Sequence, residues 1–458
     1  MPAGLAPALI ELLGADKVLS EAAERLAYGY DNSRRQALPA LVVFPEDHAQ
    51  VLDIVRLCNE HRVPLVPRGR GTGTTGATVP LDEAIVLSTE RMTRILEIDP
   101  ADRLMVVQPG VTNQAVQQAA AEHGFFWPPD PTSAAVCTIG GNLAYNSAGP
   151  RAVKYGTPRE NTLGLRAVTG AGEEIRTGTR TTKGVVGYDL TRLLIGSEGT
   201  LAVITEATLK LTPLAESRCT LRAIYADMHG AARAVSRIMA QPVVPCALEF
   251  IDGRAIDMIR QHSEARLPAN AGALLMIEVD GPQAAMEEAV AAVERAAGGT
   301  GLLELRTARD AHEVRALWAT RKALSPALRN VAPKKINEDV VVPVSQIPAL
   351  IDSLERLAEE HGITIVNFGH AGNGNIHVNL LVDPDAGAQM ARAETCLDAL
   401  FARVLELGGT LSGEHGVGLV KRDFVAREID PASLALMQRI RRLFDPQGIL
   451  NPGKTLPR

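Results

Sequence analysis

The sequence predicts an α+β fold in more than one domain, and three observations predict it. Helical and strand periodicities interleave along all 458 residues, a length that suggests two or three domains with ample core. Near Pro213 the pattern changes into a regular alternation of strand and helix. Finally, the glycine spacing that would signal a doubly wound dinucleotide-binding domain, Gly71-x-Gly73-x-x-Gly76, lacks its helix.

In chain order, residues 4–27 read as helical and Tyr30-Asp31-Asn32-Ser33 as a turn. Leu41–Phe44 is a strand, and a helix opens at Pro45 or Glu46 and runs to about His61, with Val51, Ile54, Val55 and Cys58 at helical spacing. Val63–Val66 is the next strand, its prolines restricting its pairing. After Gly76 come Ala77-Thr78-Val79-Pro80-Leu81-Asp82 and then a strand over Ala84–Ser88, so Pro80 leaves no room for the Rossmann helix. Two readings of this loop remain: a flexible surface turn, or a nest of backbone N–H groups that cradles an anion.

Strands follow at Ile95–Asp99 and Met105–Gln108, then an amphipathic helix over Thr112–His123. Residues 124–165 are rich in glycine, proline and asparagine and too long for an ordinary connection, which marks them as functional. Strands return at Leu165–Thr169, Glu174–Thr177 and Leu201–Leu211. Beyond Pro213 the expected elements are a strand, a helix (His229–Gln241), a strand (Ala247–Ile251), a helix, a strand (Ala273–Val279) and a helix (Pro282–Ala297). Later come a helix around Ala311–Leu324, a strand at Val340–Val344, a helix at Ile347–Glu360, strands flanking HAGNGNIH, and a capped turn in FDPQGILNPGK.

Composition narrows the classes. An apolar content of 46% and a charged content of 22% suit a soluble globular protein. A net charge of −6 without a long basic run argues against nucleic acid as a partner. No stretch approaches the roughly eighteen consecutive apolar residues of a membrane span, and MPAGLAPALIELLGADKV is not a secretory signal. The expected location is cytoplasmic, with peripheral attachment at the inner membrane as a second option. Cys58, Cys137, Cys219, Cys246 and Cys396 are scattered without a C-x-x-C pair, which suits reduced thiols and places any iron–sulfur cluster on a partner.

Three glycine-bearing loops precede residue 200. The first is Arg68-Gly69-Arg70-Gly71-Thr72-Gly73-Thr74. The second, PPDPTSAAVCTIGGNLAYNSAGPRAVKYG, carries Thr138, Gly140-Gly141-Asn142, Ser147, Gly149 and Tyr155-Gly156. The third is Gly196-Ser197-Glu198-Gly199-Thr200. Small residues and hydroxyls let main chain approach and donate to a ligand. Singly each is a turn; three in one domain favour a large anionic, ring-bearing cofactor.

A second constellation lies in NFGHAGNGNIHVN and SGEHGVG. A hairpin between His370 and His377 would bring two strand ends together, and Glu414 follows a short strand. Two histidines and one carboxylate suit Zn²⁺ or another divalent transition metal with open positions. The competing reading is a pair of hydrogen-bonded hairpin histidines, because spacing does not show that ligands converge.

These motifs, with GYDLTRLLIGSEGTLAVITEATLKL and the terminal DPQGILNPGK, resemble the flavoprotein family typified by vanillyl-alcohol oxidase and p-cresol methylhydroxylase. They are most similar to its D-lactate dehydrogenase and glycolate oxidase D-subunit branch, from about residue 38 to 455. The resemblance implies an FAD-binding domain of two α+β subdomains (1–213, with 446–458 returning to it) and an α+β cap (214–445) carrying a metal site. It assigns FAD to Arg68–Thr74, Pro109, Gly110, Asp130, Ser133, Thr138, Gly140, Gly141, Asn142, Ser147, Gly149, Tyr155, Gly156, Glu198, Gly199, Ile204 and Asn451. Some members attach FAD through a histidine where Thr72 stands here, which implies non-covalent FAD.

The resemblance further implies a divalent metal, zinc or manganese, on His370, His377 and Glu414, with His415 as the substrate base. Arg321 matches the family's carboxylate clamp, with Ser325 beside it; a solvated helix arginine is the alternative. Asn379, on the strand face of His377, is a candidate substrate donor. Members acting on longer diacids carry a lysine near Asn337, whereas this chain has Lys334 and Lys335 slightly upstream, which favours a small substrate.

The implied reaction is oxidation of a D-2-hydroxy acid. The α-hydrogen leaves as hydride to flavin N5, the metal acidifies the hydroxyl and a neutral histidine takes its proton. D-Lactate to pyruvate is the first choice; glycolate, with partner subunits, and D-2-hydroxyglutarate are the alternatives. A flavin-binding electron-transfer subunit without substrate chemistry is the rival class. Quinone, cytochrome, electron-transferring flavoprotein, an iron–sulfur subunit and oxygen are all open as acceptors, and a homodimer is one option for assembly.

Overall fold

The computed structural model describes every residue except Ala3, Asp82, 263–266, Arg309, Ala323, 325–332 and Arg458, together with all side chains but those of Gln261, His262, Ala316 and 319–322. Two compact units emerge. The first comprises Met1–Gly149, Gly156–Leu214 and Glu414–Arg458; the second comprises Pro150–Tyr155 and Ala215–Gly413. No described helix is long and apolar enough to cross a membrane.

The first unit holds two main sheets. Strands β1 (Val18–Leu19), β2 (Leu41–Val43), β3 (Leu65–Arg68) and β4 (Ile85–Ser88) form one, in the order β1-β2-β4-β3. β2 and β3 run parallel to β4. The helix His48–His61 lies between β2 and β3 in sequence; Asp47 caps it by accepting from Gln50 N at 3.0 Å. Its Val51, Ile54, Val55 and Cys58 are fully buried in the core that also takes Leu5, Leu9 and Leu13. Each such side chain contributes about 1.5–3 kcal/mol by leaving water. The expected helix over 4–27 stops at Leu13 instead, because Gly14 takes φ 94° and the chain then forms β1. Among the described residues between β3 and β4 there is no helix, consistent with the block at Pro80.

Strands β5 (Ile95–Asp99), β6 (Leu104–Val107), β8 (Thr162–Thr169), β9 (Glu174–Gly178) and β10 (Ala202–Lys210) form the second sheet, antiparallel throughout, in the order β5-β6-β10-β8-β9. The short pair β7 (Phe125–Phe126) and β11 (Thr212–Pro213) lies apart. The segment 124–165 is not all loop: Ile139–Tyr145 is helical. Gly140-Gly141 reads as a breaker, yet Ile139 and Leu143 bury one apolar face, and Gly140 is needed because a Cβ there would come within 2.6 Å of Pro109.

After the helix Pro431–Phe444, Asp445 accepts from Ile449 N and Leu450 N at 3.0 and 2.8 Å, forming the expected capped turn. Beyond it, fully buried Lys454 donates to Ala77 O and Asn451 Oδ1 at 2.8 and 2.7 Å. Burial pushes this ammonium down to about 7. The unfolded chain keeps its proton to about 10.5 while the folded chain releases it near 7, so the unfolded state binds more protons between those limits. Stability is therefore expected to rise with pH across that window, by on the order of a few kcal/mol. Urea midpoints measured from pH 7 to 10 should climb in the parent and flatten in Lys454→Met; equal slopes would refute the assignment.

The second unit is a seven-stranded antiparallel sheet with helices. Its strands are β12 (Ser217–Tyr225), β13 (Ala247–Asp252), β14 (Ala273–Gly281), β15 (Leu302–Thr307), β16 (Lys334–Val341), β17 (Thr364–His370) and β18 (Asn375–Val382). Their order is β15-β12-β14-β13-β17-β18-β16. β15 is a strand the periodicity did not reveal, and β16 begins at Lys334 and ends at Val341 rather than spanning Val340–Val344. Ile251, Ile256, Leu274, Met276, Val366 and Phe368 form much of the core on one side.

Candidate active site

A partly open cleft lies within the first unit, bordered by Arg68 and Gly69 after β3, Pro109, Gly140 and Gly141, Ser197–Gly199, and Ala202–Ile204 on β10. The backbone N–H groups of Gly69, Arg70, Gly71, Thr72, Gly73 and Thr74 meet no acceptor among the described residues. Six consecutive free donors beside a cleft suit an anionic group such as a pyrophosphate. Ala77, Ala144, Ala202, Val203 and Ile204 give the cleft an apolar wall suited to a ring system. A β-bulge between Ile204 and Glu206 interrupts the β10–β8 ladder at this wall. These residues fit a flavin dinucleotide.

Several side chains assigned to the cofactor by sequence are engaged with protein. The Arg68 guanidinium donates to Tyr30 O at 2.8 Å and Ala27 O at 3.3 Å, and Arg70 pairs with Glu90 at 3.2 Å. Asn451 donates to Ala77 O and Glu198 O at 3.0 and 2.7 Å, which fastens the C-terminal segment. Asn142 accepts from Asn113 at 3.1 Å, and Thr138 caps the helix behind Gly141. Glu198 lines the cleft, but its carboxylate accepts from Val417 N, Gly418 N and Thr455 Oγ1 at 2.5, 2.8 and 2.8 Å. Asp130, Ser133 and Gly110 lie in the same unit outside the cleft lining, and Gly156 begins its second segment. Tyr155 belongs to the second unit, where its hydroxyl donates to Asp280 at 2.8 Å beside Lys154.

The first unit also holds Glu414 and His415, on a pinned segment. Gly149 N donates to Glu414 Oε2 at 2.9 Å, and Ser147 Oγ to Glu414 O at 3.1 Å. Thr75 Oγ1 donates to His415 O at 3.2 Å, and Leu419 N to Thr75 O at 2.8 Å. With the Glu198 contacts, the backbone on both sides of His415 is tied down. Sequence motifs flagged Ser147, Gly149 and Glu198 without revealing this role, and Thr75 carried no signal.

In the second unit the two histidines converge. His377 stands opposite Phe368 across β17 and β18, and His370 lies two residues beyond Phe368, so both imidazoles share one face of the sheet. Their ring centroids are 5.2 Å apart, and each offers a ring nitrogen within 4.8 Å of the other's. Glu249 on β13 stands opposite His370, and Asp339 on β16 opposite His377. The face thus carries a row of carboxylate, imidazole, imidazole and carboxylate, each at most 6% exposed. Glu249 Oε1 lies 2.5 Å from His370 Nδ1. Asp339 accepts from Ser412 Oγ at 3.1 Å and Gly413 N at 2.8 Å, and the next residue in the chain is Glu414. A donor set of two imidazole nitrogens and a carboxylate fits a divalent transition metal.

Asn379 is fully buried: its amide donates to Val366 O and His377 O at 3.0 Å each and accepts from Asn337 at 2.6 Å, bonds that brace it within the sheet. Arg321 falls in the helix Ala311–Lys322, its side chain outside the described residues, as is Ser325 altogether. Glu249 carried a legible signal, since it and Asp252 are carboxylates in the otherwise apolar ALEFID strand and a buried acid needs a partner; Asp339 carried none.

The α+β architecture and the donor-lined cleft define a protein built around a dinucleotide-type cofactor. The chain belongs to the FAD-linked oxidases: residues 214–455 match the family "FAD linked oxidases, C-terminal domain", and residues 39–178 match "FAD binding domain". It is 39% identical over 447 residues to the glycolate oxidase subunit GlcD of Bacillus subtilis (strain 168), covering 97% of this chain and 95% of the relative. It is 37% identical over 437 residues to a D-lactate dehydrogenase of Archaeoglobus fulgidus, covering 94% and 95%. The structure of p-cresol methylhydroxylase with substrate bound shares the fold at a TM-score of 0.81 and 19% identity, over 99% of this chain and 96% of that one.

Proposed function

We propose that this FAD-linked oxidoreductase oxidises a small D-2-hydroxy acid, D-lactate to pyruvate in the first instance, with a divalent metal on His370, His377 and Glu414 and with His415 as base. The observation that carries the reading is the imidazole pair on one sheet face, each ring flanked by a buried carboxylate. Burying two carboxylates costs free energy that pairing and hydrogen bonds must offset, and carboxylates placed against imidazoles are the arrangement that orients metal-binding histidines. Bound at these residues, FAD supplies the two-electron acceptor and a divalent cation supplies a Lewis acid for the substrate hydroxyl.

The protein's part is positioning and proton transfer. Gly149 and Ser147 fix Glu414, and the ties at Thr75 and Glu198 fix the backbone around His415. The His415 imidazole then takes the hydroxyl proton. Arg321, as a guanidinium, is proposed to grip the substrate carboxylate.

The test is an anaerobic titration with D-lactate, L-lactate, glycolate and D-2-hydroxyglutarate, following the flavin absorption band before and after chelation. Bleaching by D-lactate that chelation abolishes and Zn²⁺ or Mn²⁺ restores is the expected result. Bleaching by glycolate alone would reassign the substrate. No bleaching by any acid in metal-replete, flavin-loaded protein would favour a second reading, a subunit that needs partners, which the similarity to a relative named as a glycolate oxidase subunit supports.

A further inference from the structure

We propose that Glu249 is the positioning residue of the metal site, orienting His370 from the neighbouring strand. The inference rests on the metal reading above. Glu249 is 2% exposed, stands directly opposite His370 in the β13–β17 ladder, and places Oε1 2.5 Å from Nδ1. A carboxylate at that position accepts the Nδ1–H, and that settles the tautomer: Nε2 is left with its lone pair, pointing away from Glu249. His370 is held edge-on to His377, with an angle of 84° between the rings. A ligand whose second nitrogen donates to a carboxylate is locked in rotation and made more basic, and losing such a partner typically weakens metal binding about 10–100-fold.

The second carboxylate of the row plays a different part. Asp339 has its oxygens on Ser412 and Gly413, so it holds the segment from which Glu414 emerges. Glu249's short contact is to the imidazole itself. A charged His370–Glu249 pair serving stability alone is the competing account, and metal affinity separates the two.

The experiment measures Zn²⁺ and Mn²⁺ dissociation constants by isothermal titration on flavin-loaded, metal-stripped protein. The parent, Glu249→Gln, Glu249→Ala and His377→Ala are compared, with flavin content and thermal midpoint recorded for each. The glutamine retains an acceptor without the charge and is expected to weaken binding about 10-fold, the alanine about 100-fold, with flavin content unchanged. Because the glutamine is nearly isosteric, it keeps the test decisive where the alanine fails to fold. Parental affinity in Glu249→Gln and in any folded Glu249→Ala would overturn the positioning role while leaving the metal site standing. A parent that binds no metal, or binds it equally well as His377→Ala, would overturn the metal reading and this inference with it.

Discussion

Replacing His415 by alanine is expected to leave FAD bound and to slow its anaerobic reduction by D-lactate about 10²–10⁴-fold, the usual contribution of a positioned general base. The substitution is structurally mild. The polar ties on this segment run through the His415 carbonyl, the Glu414 carboxylate and carbonyl, and the N–H groups of Val417 and Gly418. These ties are made by main chain and by the Glu414 carboxylate, so alanine should preserve the backbone path and the position of Glu414, the proposed ligand. Metal content should stay at the parental level, which separates loss of a base from loss of a ligand. Stopped-flow reduction at saturating D-lactate reads the effect directly. A variant reduced as fast as the parent would remove His415 as the base.

The second large effect is expected at Glu198. This residue is 4% exposed and sits at φ 52°, and burial pushes its carboxyl up while three donors act to hold it charged. Its oxygens collect Val417 N, Gly418 N and Thr455 Oγ1, joining the segment after His415 to the C-terminal tail. Glu198→Gln replaces one acceptor oxygen with an amide nitrogen that faces a donor, leaving at least one N–H or hydroxyl buried without a partner. Such a change costs about 2–4 kcal/mol. The melting temperature should fall, and substrate-driven flavin reduction should fall with it, since the tie beside His415 loosens. An unchanged melting temperature would show that the carboxylate is not a structural tie.

The legibility of the site differs from residue to residue, and separation along the chain explains much of the difference. His370 and His377 could be read as a pair because a tight turn joins their strands, and the register then puts both on one face. That Glu249 and Asp339 flank them could not be read, because these carboxylates reach the histidines only through pairing between strands distant in sequence. The glycine loop after β3 was legible as a cradle because free N–H groups are a backbone property. The fates of the Arg68, Asn451 and Glu198 side chains were not, because each is settled by a partner elsewhere in the chain. Local propensity misled in two places. Gly140-Gly141 disguised a helix that close packing against Pro109 requires, and continuous apolar spacing hid the break at Gly14.

By itself the sequence determined the α+β class, the exclusion of a Rossmann helix at Pro80, the glycine-rich loop after β3 and the histidine hairpin. Each follows from steric or periodic rules acting over a few residues. The tertiary structure alone decided that Asn379 is enclosed in its sheet and that Glu198 ties down the segment beside His415. It alone decided that Glu249 stands against His370. Burial and hydrogen-bond pairing are properties of neighbours in space, and the long-range strand register that selects those neighbours is written in no local stretch of the chain.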